Sequence, residues 1–259
     1  MELLDFYPSP EDFIQNELKV LDYLATSTYV AQEHPQFCAD AIKYRAQYQG
    51  RHADFQFASY FNVYHKEMPR FRRRTPNLHL IVAGLIEQKT KSKYGNISYL
   101  LAVGRIRSLI GGEDGRNLKA GNRRYPSLLR KFHFDVTTNT ANLQNRKQAH
   151  PMCHLQYCGK MIPLMGELGF RQSQFEQMHV RLSEPRIFFW PMSLALLIDM
   201  ALHEFPDSES AQFRQKPEWK NIIRANETFL LKPFYEKCVS IIRSVKKQRD
   251  TLADEFDVI

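Results

Sequence analysis

Hydrophobic and polar residues follow two different periods along this chain. Near both ends the apolar residues recur every three or four positions, which is typical of amphipathic helices. The N-terminal helical region is assigned to residues 1–50, and Ser9 followed by Pro10 is a typical helix start. The C-terminal helical region is assigned to residues 160–250 and includes a core helix that we expect to begin at Pro191.

Residues 54–158 carry apolar and polar residues in alternation, which is the period of a β-strand. The segment from 55 to 64 is ambiguous, although its aromatic and β-branched residues favour a strand. The clearer strand segments are 78–87, 97–107, 129–136 and 150–157. Joined in chain order by local loops, these strands form an antiparallel meander. The predicted fold is therefore α+β, an antiparallel meander sheet of about four or five strands flanked by N-terminal and C-terminal helices.

We expect a single domain over residues 1–259, in which an acidic tail at 251–259 follows the last helix. The helices should cover one face of the sheet, while the other face stays open to solvent. A chain that is 43% hydrophobic and 12% aromatic can fill the core that this arrangement needs.

Several sequence features predict a cytoplasmic protein with no membrane association. The four cysteines are too sparse for a disulfide framework, which favours a reducing compartment. The N-terminus carries acidic residues where a signal peptide would carry basic ones. The longest apolar run, residues 187–198, is shorter than the ~20 apolar residues of a membrane span. No sequence motif predicts a cofactor.

Positive charge is concentrated in the middle of the chain. Residues 70–147 contain 17 lysines and arginines against four acidic residues, a net charge of +13, while the remainder carries −5. A basic segment of this size predicts a polyanionic partner, and nucleic acid, DNA or RNA, is the first candidate. The alternative is that these residues are simply the solvated surface of a sheet. The candidate nucleic-acid contacts are Arg72, Arg73, Arg74, Arg105, Arg107, Arg123, Arg124, Lys131, Arg146 and Lys147.

Groups that can transfer protons converge in the predicted hairpin of strands 129–136 and 150–157. Side chains alternate between the two faces of a strand, so one face of this hairpin is polar and the other apolar. The polar face carries His133, Asp135, His150, His154 and Gln156. The apolar face, which we expect to pack on the core, carries Phe132, Phe134, Leu155 and Tyr157.

Three interpretations of the polar face stay open. In the first, His133 and His154 are an acid–base pair that cleaves a phosphodiester, and Asp135 orients one imidazole. Gln156 and Lys131 would then hold the phosphate. In the second, the polar residues only occupy a solvated sheet face or contact a phosphate without any chemistry.

The third interpretation is a zinc site made by His150, His154 and Cys158. Residues four apart on a strand are separated by ~13 Å, which is too far for one ion with bonds of ~2.1 Å. The site would become possible only if Pro151 began a helix and brought the two histidines together. We therefore expect no metal site.

The segment His133-Phe134-Asp135 followed by His150-Pro151 and His154 resembles uncharacterised bacterial domain families. In these families an H-x-D strand precedes an H-P-x-x-H strand. Some members look like toxin or phage-defence components, and some toxin-like members are suspected nucleases. The resemblance covers about thirty residues of the chain and implies a bacterial protein of a defence or toxin system that acts on nucleic acid.

Two functional hypotheses follow from these features. The leading one is a bacterial nucleic-acid-acting protein, a nuclease with a histidine acid–base pair on an open sheet face. The alternative is a non-catalytic nucleic-acid-binding or scaffold subunit of a multiprotein defence complex. In both, we expect protein partners to bind through the terminal helices.

Overall fold

The computed structural model describes residues 7–48, 54–63, 78–90, 93–105, 127–136, 153–157, 166, 168, 187–204 and 208–256. Three helices precede the sheet: α1 (Pro10–Thr26), α2 (Thr28–Glu33) and α3 (Pro35–Gln47). The strands are β1 (Phe55–Val63), β2 (Leu78–Thr90), β3 (Lys93–Arg105), β4 (Ser127–Val136), β5 (Cys153–Tyr157) and β6 (Ile187–Phe188). The later helices are α4 (Leu194–Glu204), α5 (Ser208–Gln215), α6 (Pro217–Asn226) and α7 (Lys232–Phe256), with a π-helical segment (Glu227–Leu231) before α7.

The fold is α+β, as the sequence predicts. The six strands lie in the order β1-β2-β3-β4-β5-β6, and every neighbouring pair is antiparallel. β6 lies within the range predicted to be helical. Its two residues are too few to show the alternation by which strands are recognised in a sequence.

The main core lies between the helices and one face of the sheet. Aromatic residues of β1 pack on α3, where Phe37 stacks on Phe61 with 4.0 Å between the ring centroids. The predicted core face of the β4–β5 hairpin is confirmed at its described side chains, because Phe134 belongs to this core and Phe132 and Leu155 pack against it. The apolar face of the hairpin thus packs on the main core, so its polar face lies on the opposite side of the sheet.

The second face of the sheet is also buried at its centre, so the expectation of an open face is wrong there. Leu168, in a turn between β5 and β6, packs against an apolar cluster on this face. The buried members of this second cluster, each at most 6% exposed, are Ala58, Ile81, Ala83, Leu85, Leu100 and Ala102. β2 and β3 carry apolar residues at successive positions, a pattern that favours burial of both faces.

The N-terminal helices begin where polar caps predict. The Ser9 hydroxyl accepts a hydrogen bond from the Asp12 N–H at 3.1 Å and caps α1. α1 ends at Thr26, and the Ser27 hydroxyl accepts the Val30 N–H at 3.4 Å to start α2. These side chains satisfy amide groups that have no partner inside a helix.

The core helix α4 begins at Leu194, three residues later than predicted from Pro191. The Ser193 hydroxyl accepts the Leu196 N–H at 3.3 Å, so serine and not proline marks this helix start. Asp199 on α4 then accepts two hydrogen bonds from the Arg214 guanidinium, both at 2.8 Å, and one from the Trp219 indole at 2.9 Å. These contacts join α4, α5 and α6 into one layer.

Proline usually interrupts a helix interior, but the backbone stays helical through Pro233. The backbone is π-helical just before it, and the Lys232 N–H donates to the Glu227 carbonyl, five residues earlier. A wider π turn is a common way to accommodate an irregularity inside a helix. α7 then continues to Phe256, so most of the predicted acidic tail is helical. Across the described part of the chain, no helix is both long and apolar enough to span a membrane.

A carboxyl group is buried where α1, β3 and α4 meet. Glu17 is fully buried, and its Oε2 atom accepts the Leu194 N–H at 3.0 Å. Burial raises the pKa of Glu17 to about 8, and the hydrogen bond from Leu194 and the nearby Tyr99 hydroxyl oppose that rise. The carboxyl is therefore mostly protonated at neutral pH, which avoids burying a charge.

Gly84 on β2 allows the Tyr99 ring to reach this carboxyl. The two residues are directly paired across β2 and β3. A Cβ atom at Gly84 would lie 2.9 Å from Cε1 of Tyr99, closer than side chains tolerate. The absence of a side chain on β2 thus makes the space in which the ring lies.

We predict that Glu17→Gln removes a pH dependence of stability. The pKa of Glu17 rises from 4.5 to about 8 on folding, so the folded state holds this proton more tightly than the unfolded chain. The free energy of unfolding of the native protein should therefore fall as pH rises through this window, by up to about 1.4 kcal/mol per pH unit. The Glu17→Gln variant should lack this pH dependence, and above about pH 8 it should have the higher free energy of unfolding.

Urea unfolding followed by circular dichroism from about pH 5 to about pH 9 measures this difference. Glu11→Gln, an exposed carboxyl on the same helix, is the matched control and should keep the native slope. Equal slopes for the native protein and Glu17→Gln would contradict the prediction.

Candidate functional site

The β4–β5 pairing determines which candidate residues lie opposite each other. His133 is paired with Gln156, and Asp135 is paired with His154. Directly paired positions of antiparallel strands share a face, so this register assigns all four positions to the polar face of the hairpin. The fifth candidate, His150, lies outside the described residues.

Asp135 is held from a third strand. The Ser98 hydroxyl of β3 donates a hydrogen bond to Oδ1 of Asp135, and the two residues are directly paired in the sheet. Nδ1 of His133 lies 3.8 Å from the same oxygen. The Asp135 side chain is 26% exposed, so one side is fixed by protein and the other is accessible to solvent.

His133 is buried, with 3% of its side chain exposed. It is paired with Leu100 of the second apolar cluster and lies beside that cluster on the same face. Its Nε2 atom is buried and has no hydrogen-bond partner among the residues that the structure describes. Direct proton exchange between this imidazole and a polymeric substrate is therefore disfavoured, although the sequence alone makes His133 a leading candidate.

The two described side chains of the polar face differ in their solvent exposure. His133 lies at the buried level, while Asp135 lies at the boundary with solvent. A carboxylate fixed by a serine hydroxyl can orient a histidine on the neighbouring strand, because paired side chains are ~5 Å apart. Of the two described residues, Asp135 and not His133 is therefore the one that a large substrate could reach.

A zinc site receives no support from the described residues. Position 154 lies within β5, so it is in a strand and not in the helix that a His150–His154 zinc site would need. Among the side chains that the structure describes, no group of three or more His, Cys, Asp or Glu residues could hold a metal ion.

Two of the ten basic candidates have a described backbone. Arg105 is the last residue of β3, where it is paired with Ser127, and Lys131 is paired with Ala102 within the sheet. The other eight lie outside the described residues: Arg72, Arg73, Arg74, Arg107, Arg123, Arg124, Arg146 and Lys147.

The strand register brings two chain connections to the same end of the sheet. β1 and β2 are paired at Val63 and Leu78, and β3 and β4 are paired at Arg105 and Ser127. β2 and β3 are themselves adjacent, with the start of β2 opposite the end of β3. The connection from β1 to β2 and that from β3 to β4 therefore leave and re-enter the sheet side by side.

Sequence reasoning missed the part of Ser98 in this site. Ser98 belongs to no motif, and its link to Asp135 depends on the β3–β4 register, which the sequence does not specify by itself. The alternation of β3 does place Ser98 on the face opposite Tyr99 and Leu101, and this was the available signal.

Comparisons of the chain with protein-family models, curated proteins and solved structures find no match. Function is therefore inferred from the charge distribution and the sheet geometry.

We predict that His133→Leu leaves the free energy of unfolding unchanged or raises it by about 1–2 kcal/mol. A buried nitrogen with no partner has a desolvation cost that an apolar side chain of similar size removes. The neighbouring variant Leu100→Ala should instead lower stability by roughly 2–5 kcal/mol, because it opens a cavity in the second cluster. Urea unfolding of the two variants tests this contrast, and a large loss of stability in His133→Leu would show that the imidazole has a partner.

Proposed function

We propose that the protein binds nucleic acid through its basic middle segment. The observation that carries this proposal is the net charge of +13 over residues 70–147, against −5 for the remainder of the chain. Nucleic acid is the cellular polyanion whose regular phosphate spacing best suits many dispersed lysines and arginines.

The strand register supports this proposal. Residues 64–77 join β1 to β2 and contain five lysines and arginines against one acidic residue. Residues 106–126 join β3 to β4 and contain five against two. Because both connections start and finish at one end of the sheet, positive charge from two separate parts of the sequence is anchored at neighbouring strand ends. Such a concentration of charge raises the attraction for a phosphate backbone.

We predict that replacing Arg72, Arg73 and Arg74 together with alanine weakens binding to nucleic acid of any sequence. Each phosphate contact adds roughly 0.9 to the slope of log affinity against log salt on duplex DNA, so the slope should also fall. Fluorescence anisotropy with labelled duplex DNA and single-stranded RNA, measured over a series of salt concentrations, gives both quantities.

The matched control replaces Lys220, Arg224 and Lys232 with alanine. These residues are exposed on the C-terminal helices and lie outside the basic segment. Their replacement by alanine removes three positive charges, as in the Arg72–Arg74 variant. The control should bind more tightly than the Arg72–Arg74 variant and keep the native salt slope. Equal losses in the two variants would mean that only net charge matters, and no loss in either would reject the proposal.

Phosphodiester cleavage is a second candidate function, favoured by the fixed and partly exposed Asp135 carboxylate. In this proposal His154 exchanges protons with the substrate, and Asp135, paired with it across β4 and β5, orients its imidazole. The buried His133 lies beside the Asp135 carboxylate and helps to position it, but does not touch the substrate. His150 is then the candidate for the second acid–base group.

The remaining polar residues have roles consistent with this chemistry. Cleavage of RNA at neutral pH requires removal of a proton from the 2′-hydroxyl and donation of a proton to the leaving oxygen. Gln156 and Lys131 are the candidates for holding the phosphate while negative charge develops on it. Membership of a toxin or defence system, a scaffold role in such a complex and a cytoplasmic location remain predictions from the sequence.

We predict that His154→Ala abolishes cleavage of labelled RNA or DNA while leaving affinity within about threefold, since the lost interaction acts mainly in the transition state. Asp135→Asn should reduce cleavage less severely, because it disturbs only the orientation of the histidine. His203→Ala, an exposed histidine on α4, is the control and should cleave normally.

Gel assays with and without EDTA separate metal-free chemistry from contaminating metal-dependent nucleases. If the native protein binds but does not cleave, the non-catalytic hypothesis holds. If His154→Ala cleaves at the native rate, the Asp135–His154 site is not catalytic.

A further inference from the structure

Trp190 presents a large aromatic ring at the protein surface, two residues after the end of β6. It is 42% exposed and is one of two tryptophans in the chain. Among the described residues, the other exposed large apolar side chains lie on α3 and α7. A single exposed apolar residue is ordinary on a protein surface, whereas a ring held rigidly beside positive charge is the usual form of a base-stacking contact.

The Trp190 ring is supported from one side by two further rings. Its centroid lies 4.0 Å from that of Phe189, with 31° between the ring planes. The Phe189 centroid in turn lies 5.0 Å from that of Phe134 on β4, a buried member of the main core. Three rings therefore lead from the core to the surface, and the exposed part of the indole lies away from Phe189.

The backbone of Trp190 is also fixed by its neighbours in the sequence. A residue that precedes proline is restricted to extended conformations, and Pro191 follows Trp190 directly. The next two residues, Met192 and Ser193, are at most 3% exposed, and the Leu194 N–H then donates to the buried Glu17. The ring is thus held in place before any partner binds, which lowers the entropic cost of binding.

The strand register places Trp190 at a positively charged end of the sheet. Phe188 is paired with His154, so Trp190 lies two residues, ~7 Å, further along, toward the end where β4 finishes and β5 begins. The β4–β5 connection, residues 137–152, leaves and re-enters the sheet at this end, and β2 turns into β3 at the same end through residues 89–93. Together these two segments contain five lysines and arginines and no acidic residue. A polyanion at this end can therefore meet positive charge and an exposed ring together.

We propose that Trp190 stacks on an unpaired base of single-stranded DNA or RNA. This inference rests on the proposed nucleic-acid binding and narrows its ligand, because the bases of a duplex are already stacked and paired. Every base has a flat π face, so one rigid tryptophan beside phosphate-binding charge suits a single strand of any sequence. A protein partner would instead need an apolar patch around the ring. Stacking on Trp190 also brings the bound strand close to His154, which is paired with Phe188 of β6.

Fluorescence anisotropy with a labelled oligothymidine of about 12 nucleotides, and with the duplex that it forms with oligoadenosine, tests the stacking. Trp190→Leu should weaken binding of the single strand by roughly tenfold or more and leave binding of the duplex unchanged, because only the single strand offers a free base face. Trp190→Phe keeps a ring and should bind the single strand within about threefold of the native affinity. Tyr235→Leu, which removes a similarly exposed ring from α7, is the matched control and should bind both ligands as the native protein does.

Tryptophan emission gives a second, independent measurement. Trp219 is fully buried and donates its indole N–H to Asp199, so of the two tryptophans only Trp190 can contact a base. The single strand should therefore quench the emission of the native protein and of Tyr235→Leu, and it should leave the emission of Trp190→Leu unchanged.

Native affinity of Trp190→Leu for the single strand, equal losses for the single strand and the duplex, or quenching that persists in Trp190→Leu would each overturn the stacking proposal. If the native protein binds the duplex with the expected salt dependence while Trp190→Leu binds the single strand normally, stacking fails and binding through the basic segment stands. If the native protein binds neither ligand, both proposals fail, and the ring is left for a different kind of partner.

Discussion

A buried carboxyl group links a helix before the sheet, the strand β3 and a helix after the sheet. Glu17 lies on α1, accepts a hydrogen bond from the first residue of α4, and interacts with Tyr99 on the central strand β3. A charged carboxylate in this position would be strongly destabilising, and the raised pKa shows that the neutral form is favoured instead. The arrangement also depends on Gly84, whose missing side chain makes room for the tyrosine ring. The helical layers before and after the sheet therefore share this buried polar contact, and Asn16 of α1 also donates a 2.7 Å hydrogen bond to Asn226 of α6.

Sequence periodicity predicted the strands and helices whose residue patterns are regular, and it missed the features that depend on one or two residues. The meander order, the capped start of α1 and the core face of the β4–β5 hairpin follow from alternation and capping, which are local properties. The two-residue strand β6 shows no period, and the π-helical segment depends on how the backbone adapts to Pro233. The start of α4 was misplaced because proline and serine are both good start signals, and tertiary packing selects between them.

The candidate site shows the same division between local and tertiary information. Alternation along β4 was sufficient to place His133 and Asp135 on one face, but not to give their burial. The burial of these side chains depends on which residues cover that face of the sheet. When those residues are distant in the sequence, the pattern along β4 gives no sign of them. Hence the sequence made His133 and Asp135 equal candidates, whereas the structure places one at the buried level and the other at the boundary with solvent. The partnership of Ser98 with Asp135 depends similarly on the register between β3 and β4.

The hydrogen bond between Glu17 and Leu194 also has a consequence for how the protein is made. Its two partners are separated by 177 residues. At a synthesis rate of ~5–20 residues per second, α1 emerges from the ribosome roughly 10 to 35 seconds before its partner has been translated. For most of that interval the nascent chain can carry β1 to β5 but still lacks the amide that binds the Glu17 carboxyl. The hydrogen bond that joins α1 to α4 can therefore form only after every strand of the described sheet has been translated.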